Sequence, residues 1–338
     1  MRAYRFDDFT SIEDLHVRDE PEEKPQRGEV LIRVHAVSLN YRDIAMLNGR
    51  YPRAYKKGLI PTSDGAGEVV EVGAGVEGLA VGDRVIGAFH PRWYGGPMPA
   101  SVGRESYGDA KDGWLCEYKT VSQDAVVKVP ASFSYEEAST LPCAGLTAWS
   151  ALGGAAAIRA GQSVLVQGTG GVSIFALQLG RALGAEVIAT TSSAKKGERL
   201  VAMGAKHVVN YAEEAEWGKR VRALADKRGV DRVVEVGGPG TIAQSLRAVA
   251  LGGEIASIGF LSSENPGIDF FSFKTSGSTI RNITVGDRVG LEELVRVVSS
   301  AALKPVIDKT FAFEDARAAF TYLESGAHFG KVVVRVAA

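Results

Sequence analysis

Residues 163–211 constrain this chain more than any other stretch. An apolar run, Val164-Leu165-Val166, breaks into Gly168-Thr169-Gly170-Gly171-Val172-Ser173. A helical pattern follows, in which Val172, Phe175, Leu179, Ala182 and Leu183 recur every three or four residues and share one face. Gly184 stops it where a left-handed residue commonly ends a helix. A second apolar run, Val187-Ile188-Ala189-Thr190, begins just beyond. Strand, glycine turn, helix and strand form the unit that holds a dinucleotide. Gly168 permits the tight exit from the strand, while Gly170 and Gly171 let backbone amides approach a pyrophosphate at the positive helix end. Val172 opens the helix beside them. Taken alone, the glycines also fit an ordinary strand-to-helix turn, and Ser173 stands where a third glycine is usual. That third position serves helix-to-strand packing rather than phosphate contact, so serine is compatible with it. The flanking strand and helix supply the context that the motif requires.

Downstream, strands are expected at 207–210, 231–236 and 253–259, with helical patterns between them. Strands alternating with helices imply a parallel sheet covered on both faces. Gly237 and Gly259 then stand at the carboxyl ends of two strands, facing the cofactor crevice. Residues 1–125 read differently. Glu29 to Val37 and Gly67 to Gly73 alternate as half-buried strands, and Gly82 to Gly87 reads as another. His35 is expected as a packing or surface residue of that sheet. A Gly/Pro-rich loop from His90 to Gly113, with Trp93, Tyr94 and the adjoining Trp114, fits a packed surface loop or the rim of a substrate cleft. Ser134 to Leu152 bridges the halves as a helix kinked at Pro142. A strand over Thr279 to Val285, helices over Leu291 to Ala302 and around Phe313 to Phe320, and a final strand after Gly330 complete the pattern. That last strand is expected to rejoin the first domain.

A length of 338 residues suits two domains. The chain is 45% hydrophobic and has no apolar run long enough to span a bilayer. Its charged start, Met1 to Asp8, lacks the apolar core of a signal peptide, so a cytoplasmic location is expected. Basic and acidic side chains number 39 and 40 and are mixed along the length, which argues against nucleic acid as a partner. Cys116 and Cys143 are the only cysteines, too few for a disulfide framework or a four-cysteine zinc lobe.

Several further pieces carry a resemblance. They are Asn40-Tyr41-Arg42-Asp43 with Gly49-Arg50-Tyr51-Pro52, Gly65-Ala66-Gly67-Glu68-Val69, and Val81-Gly82-Asp83-Arg84-Val85. Leu146-Thr147-Ala148-Trp149, the glycine loop, Val209-Asn210-Tyr211 and His328-Phe329-Gly330-Lys331 continue the series. In this order they resemble the medium-chain dehydrogenase/reductase superfamily, in its zinc-free branch of quinone oxidoreductases and enoyl reductases. The resemblance implies a GroES-like β-rich catalytic domain from residues 1–125 and 290–338. It also implies a doubly wound α/β Rossmann domain over residues 126–289, and a cleft between the two. Thr147 and Lys331 are implied among the cofactor contacts.

Zinc-using alcohol dehydrogenases of the superfamily hold their catalytic metal with Cys, His and Cys. The corresponding residues here are Asn40, Ser63 and Cys143, with Asp64 where those enzymes carry a glutamate. A tetrahedral catalytic zinc takes three protein ligands, so no metal is expected, and Cys143 reads as a small packed residue. Without a Lewis acid, acceptors that delocalise incoming charge are favoured: enones, enals, enoyl thioesters and quinones. Tyr51 matches the proton donor of related enoyl reductases, or else stabilises the turn before Pro52. Asn40 is a candidate donor to the substrate oxygen or the nicotinamide ribose, or else a turn or cap residue, and Asp43 looks structural. The cofactor expectation is NADPH over NADH. Thr191 stands where NAD enzymes carry a carboxylate, and Ser192, Lys196 and Tyr211 occupy places where NADPH-using relatives hold the 2′-phosphate. The resemblance leaves two alternatives, an NAD(P)-linked alcohol dehydrogenase and a non-enzymatic NADPH-binding protein of the crystallin or RNA-binding kind. It also implies a homodimer paired through the 279–285 strand.

Overall fold

The computed structural model describes residues 1–8, 10–51, 56–102, 105–154, 157–262 and 267–337. Pro52 therefore lies outside the described residues, as do parts of the 90–115 and 260–278 segments.

The strands in chain order are β1 (Arg2–Phe6), β2 (Leu15–Asp19), β3 (Glu29–Leu39), β4 (Asp64–Val72), β5 (Arg84–Gly87), β6 (Tyr118–Ser122) and β7 (Val126–Lys128). They continue as β8 (Ser163–Gln167), β9 (Glu186–Thr191), β10 (His207–Asn210), β11 (Val230–Glu235), β12 (Val249–Ser257), β13 (Thr279–Asn282), β14 (Ile307–Ala312) and β15 (Lys331–Arg335). They fall into two compact units, Met1–Leu146 with Gly286–Ala338, and Thr147–Val285.

The first unit is built on a sheet of order β14-β15-β3-β4-β5-β7, with β6 also paired to β3 and with β1 and β2 forming a separate antiparallel pair. β15 lies antiparallel to β3, with Val332 opposite Leu39, so the chain end completes the sheet that the beginning started, as the sequence suggested. Trp114 is fully buried rather than part of a surface loop. Its indole lies where a Cβ at Gly65 or Gly87 would stand, 2.4 and 2.2 Å from ring atoms, so glycine in β4 and β5 makes room for it. Tyr94, by contrast, is exposed.

The second unit is a six-stranded sheet of order β10-β9-β8-β11-β12-β13 in which every pairing is parallel. Numbered within the unit, this is the order 3-2-1-4-5-6 of a doubly wound dinucleotide-binding sheet, whose crevice opens beyond the strands' carboxyl ends between the first and fourth strands. These strands read as apolar runs because helices cover both faces. The helix after β8 spans Gly171–Ala182, buries Ile174, Phe175 and Leu179, and ends before Gly184 at φ +80°. The edge strand β13 stops at Asn282, where its pairing with Ser257 ends, rather than at Val285.

The unit boundaries differ from 125/126 and 289/290. Residues 126–146 stay with the first unit because β7 pairs with β5 and the helix Tyr135–Ser139 packs on β3 and β4. Tyr135 stacks on His35 at 4.1 Å, and the Arg84 guanidinium lies 3.7 Å from the Tyr135 ring centre. At the other end, the helix Arg288–Ser300 begins earlier than expected because Asp287 caps it, accepting the Gly290 N–H at 2.7 Å. Between Ser139 and Leu146 the kink takes the form of a π-helical turn, Leu141–Gly145, which absorbs Pro142. No helix among the described residues is long and apolar enough to cross a membrane.

Candidate functional site

In the second unit, Gly168 adopts φ +70° and its N–H donates to Thr190 O at 2.8 Å, fixing the turn out of β8. Among the described residues, chain neighbours aside, nothing lies within 4 Å of where a Cβ would stand at Gly168 or Gly170. Both backbones thus face open space, as a pyrophosphate cradle requires. Gly170 is the N-cap of the helix that starts with Gly171 and Val172, and no side chain caps it, so its first-turn amides are left for a ligand. Ser173 is buried and its hydroxyl donates to Gln167 O at 2.6 Å. The serine ties helix to strand, which is the work of the missing glycine.

Register brings the proposed adenosine side together: Asn210 pairs with Thr191, and the Tyr211 N–H donates to Thr191 O at 3.0 Å. Ser192 and Tyr211 are exposed there and Lys196 is half-buried. Ser193 caps the following helix, accepting the Lys196 N–H at 3.3 Å. Thr191 itself is buried, with Oγ1 accepting the Ser193 N–H at 3.2 Å. The last residue of β9 thus carries a hydroxyl rather than a carboxylate.

Beyond β11 and β12 the loops are fastened to each other. The Ser262 N–H donates to Gly237 O at 2.9 Å, and a Cβ at Gly259 would lie 2.2 Å from Val236 O, so only glycine fits there. The loop after β11 is also held by a residue that sequence reasoning passed over. Glu235 is buried, and its carboxylate accepts the N–H groups of Gly237 and Gly238, both at 2.9 Å, and the Gln167 amide at 2.8 Å. The hydroxyls of Thr241 and Ser245 also donate to it. A polar residue ending each of two apolar central strands, Gln167 and Glu235, was the available signal. A cavity of about 490 Å³ opens here, lined in part by Glu235, Gly238, Gly259, Ile280 and Asn282. Thr147 is buried in the helix Leu146–Leu152.

In the first unit, Asn40 precedes the helix Tyr41–Leu47, and its N–H donates to the Asp43 carboxylate at 2.8 Å. This is the cap alternative of the sequence reading. Its side-chain NH2 donates to Asp64 Oδ2 at 2.9 Å, and its Oδ1 accepts from Lys331 Nζ at 2.5 Å. Lys331 also donates to Leu39 O at 2.6 Å, so this lysine turns inward. Ser63 Oγ donates to Asp64 Oδ1 at 2.7 Å, and the Cys143 N–H reaches Asp64 Oδ2 at 3.3 Å. Asn40, Ser63, Asp64, Cys143 and Lys331 are therefore one cluster. Burial pushes the Asp64 carboxyl up and the Lys331 ammonium down, and it carries the Asp43 carboxyl to about 6. Burial, with Asp64 adjacent, also raises the Cys143 thiol, keeping it protonated. Thr62, just before this cluster, holds φ +71° with its buried hydroxyl unpartnered among the described residues. A strained residue beside a polar cluster is a common mark of a working site. Tyr51 lies near by in sequence, half-buried, with the Arg42 guanidinium 5.5 Å from its ring centre. Arg42 is itself paired with Asp109 at 3.2 Å, a buried ion pair that sequence reading missed.

Among the described residues, three metal-ligating side chains converge only at Asp7, Asp14 and His16. Arg18 already bonds Asp7 there, and Arg317 lies 2.9 Å from His16 Nδ1.

Residues 26–131 match the alcohol dehydrogenase GroES-like domain family, and residues 171–300 match the zinc-binding dehydrogenase family. A zinc-type alcohol dehydrogenase-like protein of Schizosaccharomyces pombe is 37% identical, with 99% of each chain covered. The acryloyl-coenzyme A reductase of Metallosphaera sedula is 30% identical over 94% of this chain and 95% of its own. Among solved structures, an NAD-dependent alcohol dehydrogenase is 32% identical with a TM-score of 0.91, each chain covered completely at 100%. A mycobacterial protein complexed with NADPH is 28% identical with a TM-score of 0.83, covering 99% of this chain and 100% of its own.

Proposed function

The chain belongs to the medium-chain dehydrogenase/reductase superfamily, and from that premise we propose that it is a zinc-independent, NADPH-dependent reductase of conjugated carbonyl compounds or quinones. The observation that carries this reading is the cluster around Asn40. At the three places where zinc-using relatives carry ligands it offers an amide, a hydroxyl and a protonated thiol, and a lysine ammonium sits on the amide oxygen. Such a donor set does not fit a tetrahedral zinc, which wants thiolate or imidazole and no resident cation. The protein must then stabilise developing negative charge with hydrogen-bond donors, each worth about 2.7–4 kcal/mol at best.

An isolated ketone concentrates that charge on one oxygen. A conjugated C=C–C=O accepts hydride at its β carbon and spreads the charge into an enolate, and a quinone spreads it over a ring. When bound, a nicotinamide would supply the hydride, and the chain's residues would hold the cofactor, orient the acceptor and deliver the proton. Tyr51, whose ring lies beside the Arg42 guanidinium, is the proposed proton donor, and Asn40 is held as a fixed polar wall rather than a free one. The relative that reduces acryloyl-coenzyme A is consistent with an enoyl acceptor. The hydroxyls and lysine at the end of β9, with no acid, support NADPH.

A panel of enones, enoyl thioesters, quinones, saturated aldehydes and alcohols, assayed with NADPH and NADH, tests the reading. We expect the conjugated acceptors to exceed the saturated aldehydes by about 100-fold in kcat/KM, equivalent to 2.7 kcal/mol at the barrier. Zinc below one-tenth of an equivalent after dialysis against a weak chelator is expected as well. The Tyr51→Phe variant should slow turnover with KM little changed. Faster oxidation of plain alcohols with NAD, together with stoichiometric zinc, would establish the second reading, which the NAD-dependent alcohol dehydrogenase neighbour favours.

We also propose a homodimer. β13 is the edge of its sheet, and Leu261, Ile268, Phe270 and Phe271 of the same unit are exposed apolar side chains. An open edge beside apolar surface is an aggregation hazard that a second copy removes. Sedimentation should give twice the chain mass, and Ile280→Lys should give the single mass; a wild-type monomer at micromolar concentration refutes the pairing.

A further inference from the structure

Lys331, Asn40 and Asp64 form a chain with only one polarity. Lys331 Nζ stands 2.5 Å from Asn40 Oδ1, and Asn40 Nδ2 stands 2.9 Å from Asp64 Oδ2. The three residues are 3%, 8% and 0% exposed. An ammonium only donates and a carboxylate only accepts, so the carboxamide between them has a single workable orientation. Turning it over would set its NH2 against the ammonium and its oxygen against the carboxylate. The chain also spans the unit, joining the start of β15, the residue before the helix Tyr41–Leu47, the start of β4 and, through the Cys143 N–H, the π-helical turn.

We propose that Lys331 is a positioning residue: it is the internal cation of this cluster, and it acts through the Asn40 carboxamide to balance Asp64 and to fix which face of that amide the site presents. This deepens the reading of the cluster as a polar replacement for a metal centre and rests on it. Two buried charges at the ends of one amide each offset the other's burial, whereas either alone would be an uncompensated charge. The neighbouring charges do not take over the role. Asp43 is engaged by the Asn40 N–H, and Arg42 is paired with Asp109. Ser63 and the Cys143 N–H stabilise Asp64 but carry no charge.

A charge exchange tests this without reference to any substrate. Asn40→Asp alone sets two carboxylates side by side and is expected to lower Tm by roughly 8 °C or more. Asn40→Asp combined with Asp64→Asn restores the order of ammonium, carboxylate and amide NH2. It should recover most of the loss, short of the 3.3 Å bond from Cys143 and the long contacts of Asn40 Nδ2 to Ser63 Oγ and Ser38 O at 3.4 and 3.5 Å. Lys331→Met should be strongly destabilising alone and much less so when Asp64→Asn is added, a non-additivity that bulk loss of packing does not produce. In wild-type and Lys331→Arg proteins that turn over a conjugated acceptor, kcat should change more than KM. A combined variant no more stable than Asn40→Asp, or additive effects of Lys331→Met and Asp64→Asn, overturns the proposal even if enone reduction is confirmed. Restored stability with no enone turnover would uphold Lys331 and sink the substrate reading instead.

Discussion

Replacing Glu235 with alanine is expected to cost about 3–5 kcal/mol of stability and to weaken dinucleotide binding at least as strongly as any change in the glycine loop. Five donors converge on this carboxylate: two backbone amides, two hydroxyls and the Gln167 amide. Alanine leaves all five facing a void inside the sheet's carboxyl end, and each buried donor without a partner costs about 1–3 kcal/mol before water enters. The total stays below that sum because Thr241 can turn to Gly238 O, an existing contact at 3.2 Å. Gln167 likewise keeps an acceptor, since its Nε2 also donates to Ser245 Oγ at 2.8 Å. Glutamine at 235 should be milder, about 1–3 kcal/mol, because one oxygen survives while the new NH2 opposes the Gln167 NH2. The loop carrying Gly237 loses its carboxylate anchor with alanine and part of it with glutamine, so binding should fall in parallel with stability. Urea unfolding and a fluorescence titration with NADPH measure the two effects. An alanine variant within about 1 kcal/mol of wild type would mean that the network is dispensable and that the loops are held by their backbone bonds alone.

The parts of this site legible in the sequence are those that announce themselves locally. Val164 to Ser173 is a strand, a turn and a helix start within ten residues, and each step has a residue-level cause. The strand ends of the second sheet were harder: β12 begins at Val249 because pairing with Val230 starts there, a matter of register that periodicity cannot reveal. Domain limits failed to emerge for a similar reason. Nothing in residues 126–146 states that β7 must pair with β5, or that Tyr135 will stack on His35. Long-range polar pairs were the least legible. Lys331 and Asn40 are 291 positions apart, and Gln167 and Glu235 are 68 apart, so their meeting depends on the whole topology. What sequence did offer was their oddity, since a lysine opening an apolar strand and a glutamate closing one are costly unless each finds a partner. Resemblance assigned Lys331 to the cofactor; the geometry shows its described bonds going to Leu39 and Asn40.

Thr191→Asp should reverse the proposed preference for NADPH. The residue ends β9, is buried, and its Oγ1 accepts the Ser193 N–H at 3.2 Å. An aspartate there can keep that bond with one oxygen, as such side chains do in Asx turns, and turn the other toward the ribose. With NADH that second oxygen gains the 2′-hydroxyl as a donor. With NADPH it faces a phosphate of like charge in a partly enclosed setting, where two unit charges 4 Å apart repel by about 4 kcal/mol at an effective dielectric constant near 20. Exposure of Ser192 and Tyr211 lets solvent screen part of this. The net expectation is a loss of roughly 100-fold in NADPH affinity, or about 2.7 kcal/mol, and a gain of several-fold for NADH. Lys196 remains in place in this variant, so its attraction for the phosphate opposes the change and sets a lower limit on the effect. Removing it as well, with Lys196→Ala, should widen the reversal, and raising the salt concentration should narrow it because the opposed charges are screened. Equilibrium titration of both cofactors decides the matter. If the Thr191→Asp protein binds NADPH as tightly as wild type does, the adenosine ribose does not sit at the end of β9, and the argument from the missing acid falls with it.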